Sequence, residues 1–170
     1  NHHLGTMLGL LMAAYEMNAF GDEYQKNVIA NAKSFARSLK AAGLDVAGDP
    51  AIDYTETHQV IVKTGYGTGP EVAERLEENN VVVNYQATPE EEGFTASGAL
   101  RLGVSEMTRF GFGPKEFEKL ANLMADCILR NKPIAGEVAM LRAGYTTLGY
   151  CFSDEAVNQA LDALATTSGM

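Results

Sequence analysis

The segment Gly98-Ala-Leu-Arg-Leu-Gly103 is followed closely by Ser105-Glu-Met-Thr-Arg-Phe-Gly-Phe-Gly113. The first of these predicts a buried strand that carries a single arginine, and its two flanking glycines let other groups approach the backbone closely. A buried guanidinium without a partner is costly, so Arg101 needs an acceptor. Its planar fork suits a carboxylate bound by two parallel hydrogen bonds. That carboxylate belongs either to a bound ligand or to an internal salt bridge with an acid such as Glu106.

Helical and strand-like segments alternate on both sides of this strand. Helical spacing of apolar residues predicts helices, and β-branched runs bounded by glycine and proline predict strands. The predicted helices are 24–42, 70–78, 115–130, 137–143 and 153–164, and the predicted strands are 44–47, 58–64, 81–85 and 100–104. The pattern indicates an α/β (α+β) domain whose helices pack on a small sheet. We divide the chain into residues 1–23, a small domain over 24–132 and a helical extension over 133–170.

The chain begins with Asn1-His-His-Leu-Gly-Thr6 and runs directly into an apolar segment, residues 5–20. This segment predicts a linking helix that is apolar nearly all round and is therefore expected to be buried. Gly21-Asp-Glu23 is expected to separate it from the next helix. Because no initiator methionine or signal peptide precedes the helix, we expect the downstream part of a larger enzyme, located in the cytoplasm.

Composition narrows the classes of function. The 170 residues are 46% hydrophobic, enough for a real core, and their formal net charge is −9. That charge disfavours nucleic acid and anionic membranes as partners, and no apolar stretch reaches the roughly 20 residues of a membrane-spanning helix. Two cysteines are too few for a disulfide framework, and Cys127 falls in the apolar stripe of a predicted helix. The three histidines lack the spacing of metal ligands, so we expect no metal site.

Other candidate motifs are weak. Ser97 lacks the surroundings of a hydrolase nucleophile, and Gly65-Tyr-Gly-Thr-Gly69 lacks both the dinucleotide-binding and the P-loop spacing, which indicates a turn. The adjacent Glu91 and Glu92 could form a carboxylate pair, but acids in a polar loop are usually hydrated. Arg109 lies in a predicted loop, where it is expected to hold the turn.

Several segments, in the same order along the chain, resemble the serine hydroxymethyltransferase family. Its members are pyridoxal-phosphate (PLP) enzymes with the aspartate-aminotransferase fold, called fold type I. Ser97–Gly103 and Met107–Gly113 resemble the family's Ser-Gly-Ile-Arg-x-Gly and Thr-x-Arg-Gly-Phe motifs. The strands His58-Gln-Val-Ile-Val62 and Val81-Val-Val-Asn-Tyr-Gln86, and the helix around Tyr24–Lys33, are similar to family segments with like spacing. The similarity covers roughly residues 4–132, and the tail has no counterpart that we can place.

The resemblance implies the small C-terminal domain of a homodimeric enzyme that uses PLP to transfer a one-carbon unit from serine to tetrahydrofolate, leaving glycine. It implies that Arg101 binds the α-carboxylate of the amino-acid substrate. It further implies that Gly5 contacts the cofactor phosphate of the partner subunit. Gln86, and with it Tyr85, is implied to approach the folate.

The family's Schiff-base lysine follows a threonine-rich stretch and a histidine, and none of the lysines here matches that pattern. We therefore expect no catalytic residue within this chain, which by itself should be inactive. Two alternatives stay open. One is a folate-independent PLP aldolase or lyase acting on β-hydroxy amino acids, and the other is a stand-alone small domain for binding or dimerisation.

Overall fold

A computed structural model describes residues 3–91 and 96–167. Its first element is helix α1, which runs without a break over Leu4–Ala41. The expected separation at residues 21–23 is wrong, because a glycine inside a helix costs only about 1 kcal/mol and the two acids beside it are exposed. One long helix therefore replaces the two that the sequence predicts.

Four strands form an antiparallel sheet in the order β1-β2-β4-β3. Their bounds are Asp45–Val46 (β1), Gln59–Lys63 (β2), Asn84–Gln86 (β3) and Ala99–Gly103 (β4). β2 and β4 pair along their whole lengths, with Ile61 opposite Arg101, and β3 pairs along the other edge of β4. Residues 81–83, predicted as the start of a strand, precede β3 without joining the ladder.

Three helices pack on one face of the sheet: the second half of α1, α2 (Gly69–Glu77) and α4 (Pro114–Arg130). A short helix, α3 (Ser105–Arg109), connects β4 to α4. Inward-facing side chains of the strands meet the apolar stripes of the helices. The largest fully buried side chains are Phe117, Leu39, Leu76, Leu100, Met124, Ile134, Val28, Val60, Val62, Val104 and Cys127. This arrangement confirms the predicted α/β (α+β) class, with helices on a small sheet.

The first half of α1 projects from this core. Leu4, Leu8 and Leu10 are 73%, 65% and 72% exposed, and Glu16 is the one buried residue of α1 before Tyr24. The expectation that residues 5–20 are buried is therefore wrong for this chain. An apolar helix is buried only where another element covers it, and within the described residues the core covers α1 from Tyr24 onwards.

The tail continues with α5 (Ala135–Ala143) and α6 (Asp154–Thr167). Ile134 and Val138 join the main core. Residues 144–153, which connect α5 to α6 and which we call the tail loop, lie against the middle of α1. The division of the chain at residues 23 and 132 stays a prediction. Among the residues that the structure describes, no helix combines the length and the apolar character needed to cross a bilayer.

Candidate functional site

Arg101 lies on the sheet face that the helices leave open. Its strand neighbours Leu100 and Leu102 are buried against the helices, whereas Arg101 itself is exposed. The expectation of a buried guanidinium is wrong, because successive side chains of a strand point to opposite faces and only one face of this sheet is covered. Within residues 3–91 and 96–167, the guanidinium forms no side-chain hydrogen bond and no ion pair, with Glu106 or any other acid. Its five N–H donors are therefore available to a ligand.

Both neighbouring strands place side chains beside Arg101. Ile61 of β2 and Asn84 of β3 lie directly opposite it in the antiparallel register, which brings their Cβ atoms to about 5 Å from its own. Lys63 lies on the same face, and its Nζ is 3.3 Å from Oε1 of Glu90. The charge of the neighbouring lysine is thus compensated within the chain, whereas the charge of Arg101 is not.

Successive residues of β3 lie on opposite faces of the sheet. Gln86 shares the open face with Asn84 and Arg101, whereas Tyr85 is opposite the buried Leu100. Tyr85 is nevertheless 51% exposed, because β3 is an edge strand. The fold thus brings Arg101 and Gln86 together and separates Tyr85 from them. Asn84 is a further member of this face that the motifs did not indicate, although the two-residue period of a strand places it with Gln86.

A cavity of about 370 Å³ opens at this end of the open face. The residues that line it include Arg101, Asn84, His58, Gln59 and Gly103. The space is large enough for a small polar ligand. Polar residues from two other segments, Asn84 of β3 and His58 just before β2, therefore line the same space as the unpaired guanidinium.

Gly5 occupies the first turn of α1, in the projecting half of that helix. It is exposed, and a Cβ at this position would meet nothing within 4 Å. The first turn of α1 contains no acidic side chain, and the first amides of any helix lack acceptors within the helix. The position therefore fits an anionic group such as a phosphate, which the positive end of the helix dipole favours.

Arg109, expected in a loop, is instead the last residue of α3. One terminal nitrogen lies 2.5 Å from a carboxylate oxygen of Glu16 on α1, and its Nε donates to the carbonyl oxygen of Gly149 at 3.3 Å. The side chain of Arg109 is 29% exposed and that of Glu16 only 11%. Burial opposes the charge of Arg109, but the hydrogen bond and charge of Glu16 outweigh it and raise the pKa of the arginine. Arg109 thus forms an internal salt bridge, which the sequence analysis had given as one of two alternatives for Arg101.

Glu91 makes structural contacts. Its Oε2 accepts hydrogen bonds from the backbone N–H groups of Thr88, at 2.7 Å, and Gly98, at 3.1 Å. A Cβ on Gly98 would lie 2.0 Å from Oε1 of Glu91 and 2.6 Å from the carbonyl oxygen of Gly65, so this glycine permits the close approach that its position predicts. Glu92, the other member of the candidate pair, lies outside the described residues. No group of three or more potential metal ligands occurs in the described part of the chain.

A small antiparallel sheet covered by helices on one face matches a domain of a fold-type-I PLP enzyme. The solved structure of L-threonine transaldolase from Pseudomonas fluorescens, in its internal aldimine state, matches with a TM-score of 0.77 and 27% sequence identity. The match covers 89% of this chain and 36% of that one.

The chain belongs to the serine hydroxymethyltransferase family, whose model matches residues 1–124. The serine hydroxymethyltransferase of Korarchaeum cryptofilum is 38% identical over 162 residues, which cover 91% of this chain and 37% of that protein. That of Pyrobaculum arsenaticum is 36% identical over 155 residues, covering 89% of this chain and 36% of that protein. The chain thus spans about a third of the length of the curated relatives that it matches. These findings confirm the resemblance and extend it, since the matches reach into the tail, where the sequence motifs alone placed no counterpart.

Proposed function

We propose that this chain is the C-terminal part of a PLP-dependent serine hydroxymethyltransferase, which transfers a one-carbon unit between serine and tetrahydrofolate. Arg101 carries the proposal. It is exposed on the open face of the family's small domain, and no described residue pairs with its guanidinium. A guanidinium on a strand that is hydrogen-bonded on both sides is pre-organised for a carboxylate ligand.

In this proposal Arg101 binds the α-carboxylate of serine or glycine. Two parallel hydrogen bonds from its planar fork fix the direction of the carboxylate as well as its position. That direction determines which bond to Cα is held in the reactive orientation. The cofactor, when bound, supplies the electron sink into which the electrons of that bond are delocalised.

Gly5 is the proposed contact between this chain and the cofactor phosphate. The exposed first turn of α1 supports this assignment, since it offers backbone amides and contains no acid. The family resemblance assigns that phosphate to the partner subunit of a homodimer. Because no lysine of this chain fits the family's Schiff-base motif, we propose that the rest of the enzyme binds the cofactor covalently and that this chain alone is inactive.

Gln86 and Tyr85 are the proposed contacts with tetrahydrofolate. Gln86 is half-buried on the face of Arg101, so a folate bound there lies next to the amino acid. Tyr85 is a half-exposed residue at the edge of the sheet, where the aromatic ring system of a folate could stack on its side chain.

The full-length enzyme is proposed to be a cytoplasmic homodimer, and the exposed apolar side chains of the projecting half of α1 support burial of this half against another protein surface. Seven large side chains of this half are each at least 43% exposed: Leu4, Met7, Leu8, Leu10, Leu11, Met12 and Tyr15. Contiguous apolar surface of this kind is typical of sites that another protein surface covers. We propose that the remainder of the full-length enzyme and its second copy provide this cover.

The test uses the full-length protein that contains this chain. We expect glycine to change the absorbance of the bound PLP, and we expect cleavage of serine to require tetrahydrofolate. The 170-residue chain alone is the matched control: with equimolar PLP and borohydride, none of its lysines should be labelled above the level that the same chain shows in urea. Preferential labelling of one lysine in the folded chain would contradict the proposal that this chain lacks the Schiff-base lysine. A full-length protein whose PLP absorbance does not respond to glycine would overturn the proposed function.

A folate-independent reaction on β-hydroxy amino acids is the second candidate. The match to L-threonine transaldolase, at a TM-score of 0.77, favours it. Serine and threonine both present an α-carboxylate, so Arg101 suits either reaction. Equal rates of threonine cleavage with and without tetrahydrofolate, together with no folate-dependent cleavage of serine, would select this candidate.

A further inference from the structure

Helix α1 passes from one environment to another at its middle. It projects with exposed apolar side chains before Gly21, and it is embedded in the core from Tyr24 onwards. Glycine is the residue that least resists bending inside a helix. A Cβ at Gly21 would meet only Met17, at 3.8 and 4.0 Å, so packing does not require a glycine at this junction.

Two contacts hold α1 on the N-terminal side of Gly21. Glu16 pairs with Arg109 of α3 at 2.5 Å. The ring of Phe20 packs against that of Phe152 in the tail loop, with 5.4 Å between their centroids. The projecting half of the helix is thus attached to the small domain only a short distance before the glycine.

Further contacts hold α1 on the C-terminal side of Gly21. The side-chain amide of Asn27 donates to the hydroxyl of Tyr150 at 2.7 Å, and the rings of Tyr24 and Tyr150 are 5.1 Å apart. The tail loop is in turn attached to α3, because the backbone N–H of Gly149 donates to the carbonyl oxygen of Arg109 at 2.7 Å. Arg109 and the tail loop therefore bridge the two sides of the glycine.

We propose that the Glu16–Arg109 ion pair and the tail loop keep α1 straight across Gly21, and that Arg109 is thereby a positioning residue for substrate binding. α3 follows β4 after a single residue, Val104, so a contact that holds α3 against α1 also holds the strand of Arg101. The Glu16–Arg109 pair joins the projecting half of the helix directly to the short helix that follows this strand, whereas Phe20 reaches it only through the tail loop.

The projecting half of α1 is long enough for a small bend at Gly21 to affect binding. Gly5 lies 16 residues before Gly21, which is about 24 Å along a helix. A bend of about 10° at Gly21 therefore displaces Gly5 by about 4 Å relative to the sheet. The inference rests on the proposed function, in which Gly5 is fixed at a cofactor phosphate in the dimer and Arg101 must reach the substrate from that fixed end.

Glu16→Gln tests the inference, because it removes the charge and keeps the size of the side chain. In the full-length protein we expect the Kd for glycine to rise about tenfold, an effect typical of a slightly misplaced binding group, while PLP affinity stays unchanged. In the 170-residue chain we expect hydrogen exchange of the amides of residues 21–25 to become about tenfold faster. The amides of residues 32–39, in the buried half of α1, should not change. Arg109→Lys keeps the charge and should show a smaller effect on both readouts.

Gly21→Ala, added to Glu16→Gln, should restore most of both losses because alanine resists bending. Gly136→Ala is the matched control: Gly136 is also helical, and a Cβ there would meet nothing within 4 Å, but it lies in α5. Equal rescue by the two substitutions would overturn the inference in favour of general stabilisation. A lower Tm with unchanged glycine Kd and unchanged exchange at residues 21–25 would also overturn it. If the unsubstituted full-length protein does not respond to glycine, the proposed function fails, while the exchange data still decide whether α1 is held straight.

Discussion

Arg101 and Arg109 lie close together in the sequence and have opposite surroundings. Arg101 is exposed on the open face of β4, and no described residue pairs with its guanidinium. Arg109 ends α3 with its guanidinium half-buried between Glu16 and the carbonyl group of Gly149. An arginine whose donors are used inside the domain stabilises the fold, whereas one supported on a strand with its donors unused can bind a ligand. Arg109 therefore contributes to holding this domain together, whereas Arg101 is available to a ligand.

The same substitution at both positions tests this contrast, and the largest effect is expected at Arg101. In the full-length protein, Arg101→Leu should raise the Kd for glycine about 100-fold, the loss expected when one member of a desolvated charge pair is removed. PLP affinity and Tm should stay unchanged. Glycine titration followed by PLP absorbance, with a melting curve, measures these quantities. Arg130→Leu, at another exposed arginine, is the control. Equal loss of glycine and PLP affinity in Arg101→Leu would instead indicate a structural role.

Arg109→Leu should have its main effect on stability. It leaves the carboxylate of Glu16, only 11% exposed, without its partner, and an unpaired group of this kind destabilises a fold by about 2 kcal/mol. Arg101→Leu should change the free energy of unfolding by less than about 0.5 kcal/mol, as for an ordinary surface position. Urea unfolding of the 170-residue chain compares the two variants directly. The contrast fails if both variants lose the same stability.

The fold class could be predicted because it depends on local patterns. The β-branched run of residues 58–64 and the amphipathic segment 115–130 both form the elements that their spacing predicts, within a residue or two at each end. The predicted break at Gly21 was wrong because Gly21-Asp-Glu23 favours a helix end only weakly. Tertiary contacts on both sides of Gly21 support a continuous helix. The predicted burial of residues 5–20 was wrong because an apolar pattern indicates only that a surface needs to be covered. It does not identify the element or subunit that covers it.

The contrast between the two arginines could not be predicted, because it depends on contacts distant in sequence. Arg101 has leucines on both sides, which indicates a strand but not whether one or two faces of the sheet are covered. The partner of Arg109 is Glu16, 93 residues away, and no local pattern connects them. The alternation of β3 would have placed Asn84 beside Gln86, and only the register places it opposite Arg101.

Asn84→Ala determines whether Arg101 acts alone on the open face. The amide of Asn84 lies opposite the guanidinium in register and can donate one neutral hydrogen bond to a carboxylate held there. Loss of such a bond is worth about 1 kcal/mol, so we expect the glycine Kd to rise about fivefold. Asn122→Ala, which changes an exposed asparagine of α4 away from this cavity, should leave it unaltered. An effect as large as that of Arg101→Leu would mean that the two residues form one site, and no effect would leave Arg101 as the sole ligand on this face.

Tyr145→Phe tests whether a hydrogen bond from Tyr145 to Glu116 stabilises the tail loop, and it has the smallest expected effect. Burial raises the pKa of Glu116, but hydrogen bonds from Tyr145 and from the backbone of Gly113 outweigh it, so the pKa is lowered overall. A carboxyl whose pKa is depressed in the folded state stabilises the protein above its unfolded pKa, and this contribution disappears as the pH falls through the folded pKa. Tyr145→Phe should therefore lower the Tm by about 2 °C at neutral pH and by less at about pH 3. Tyr66→Phe, at a tyrosine that is 76% exposed, is the control. No Tm loss at either pH would show that Tyr145 stabilises the loop through its ring contact with Phe112, which Tyr145→Phe retains, rather than through the Glu116 carboxylate.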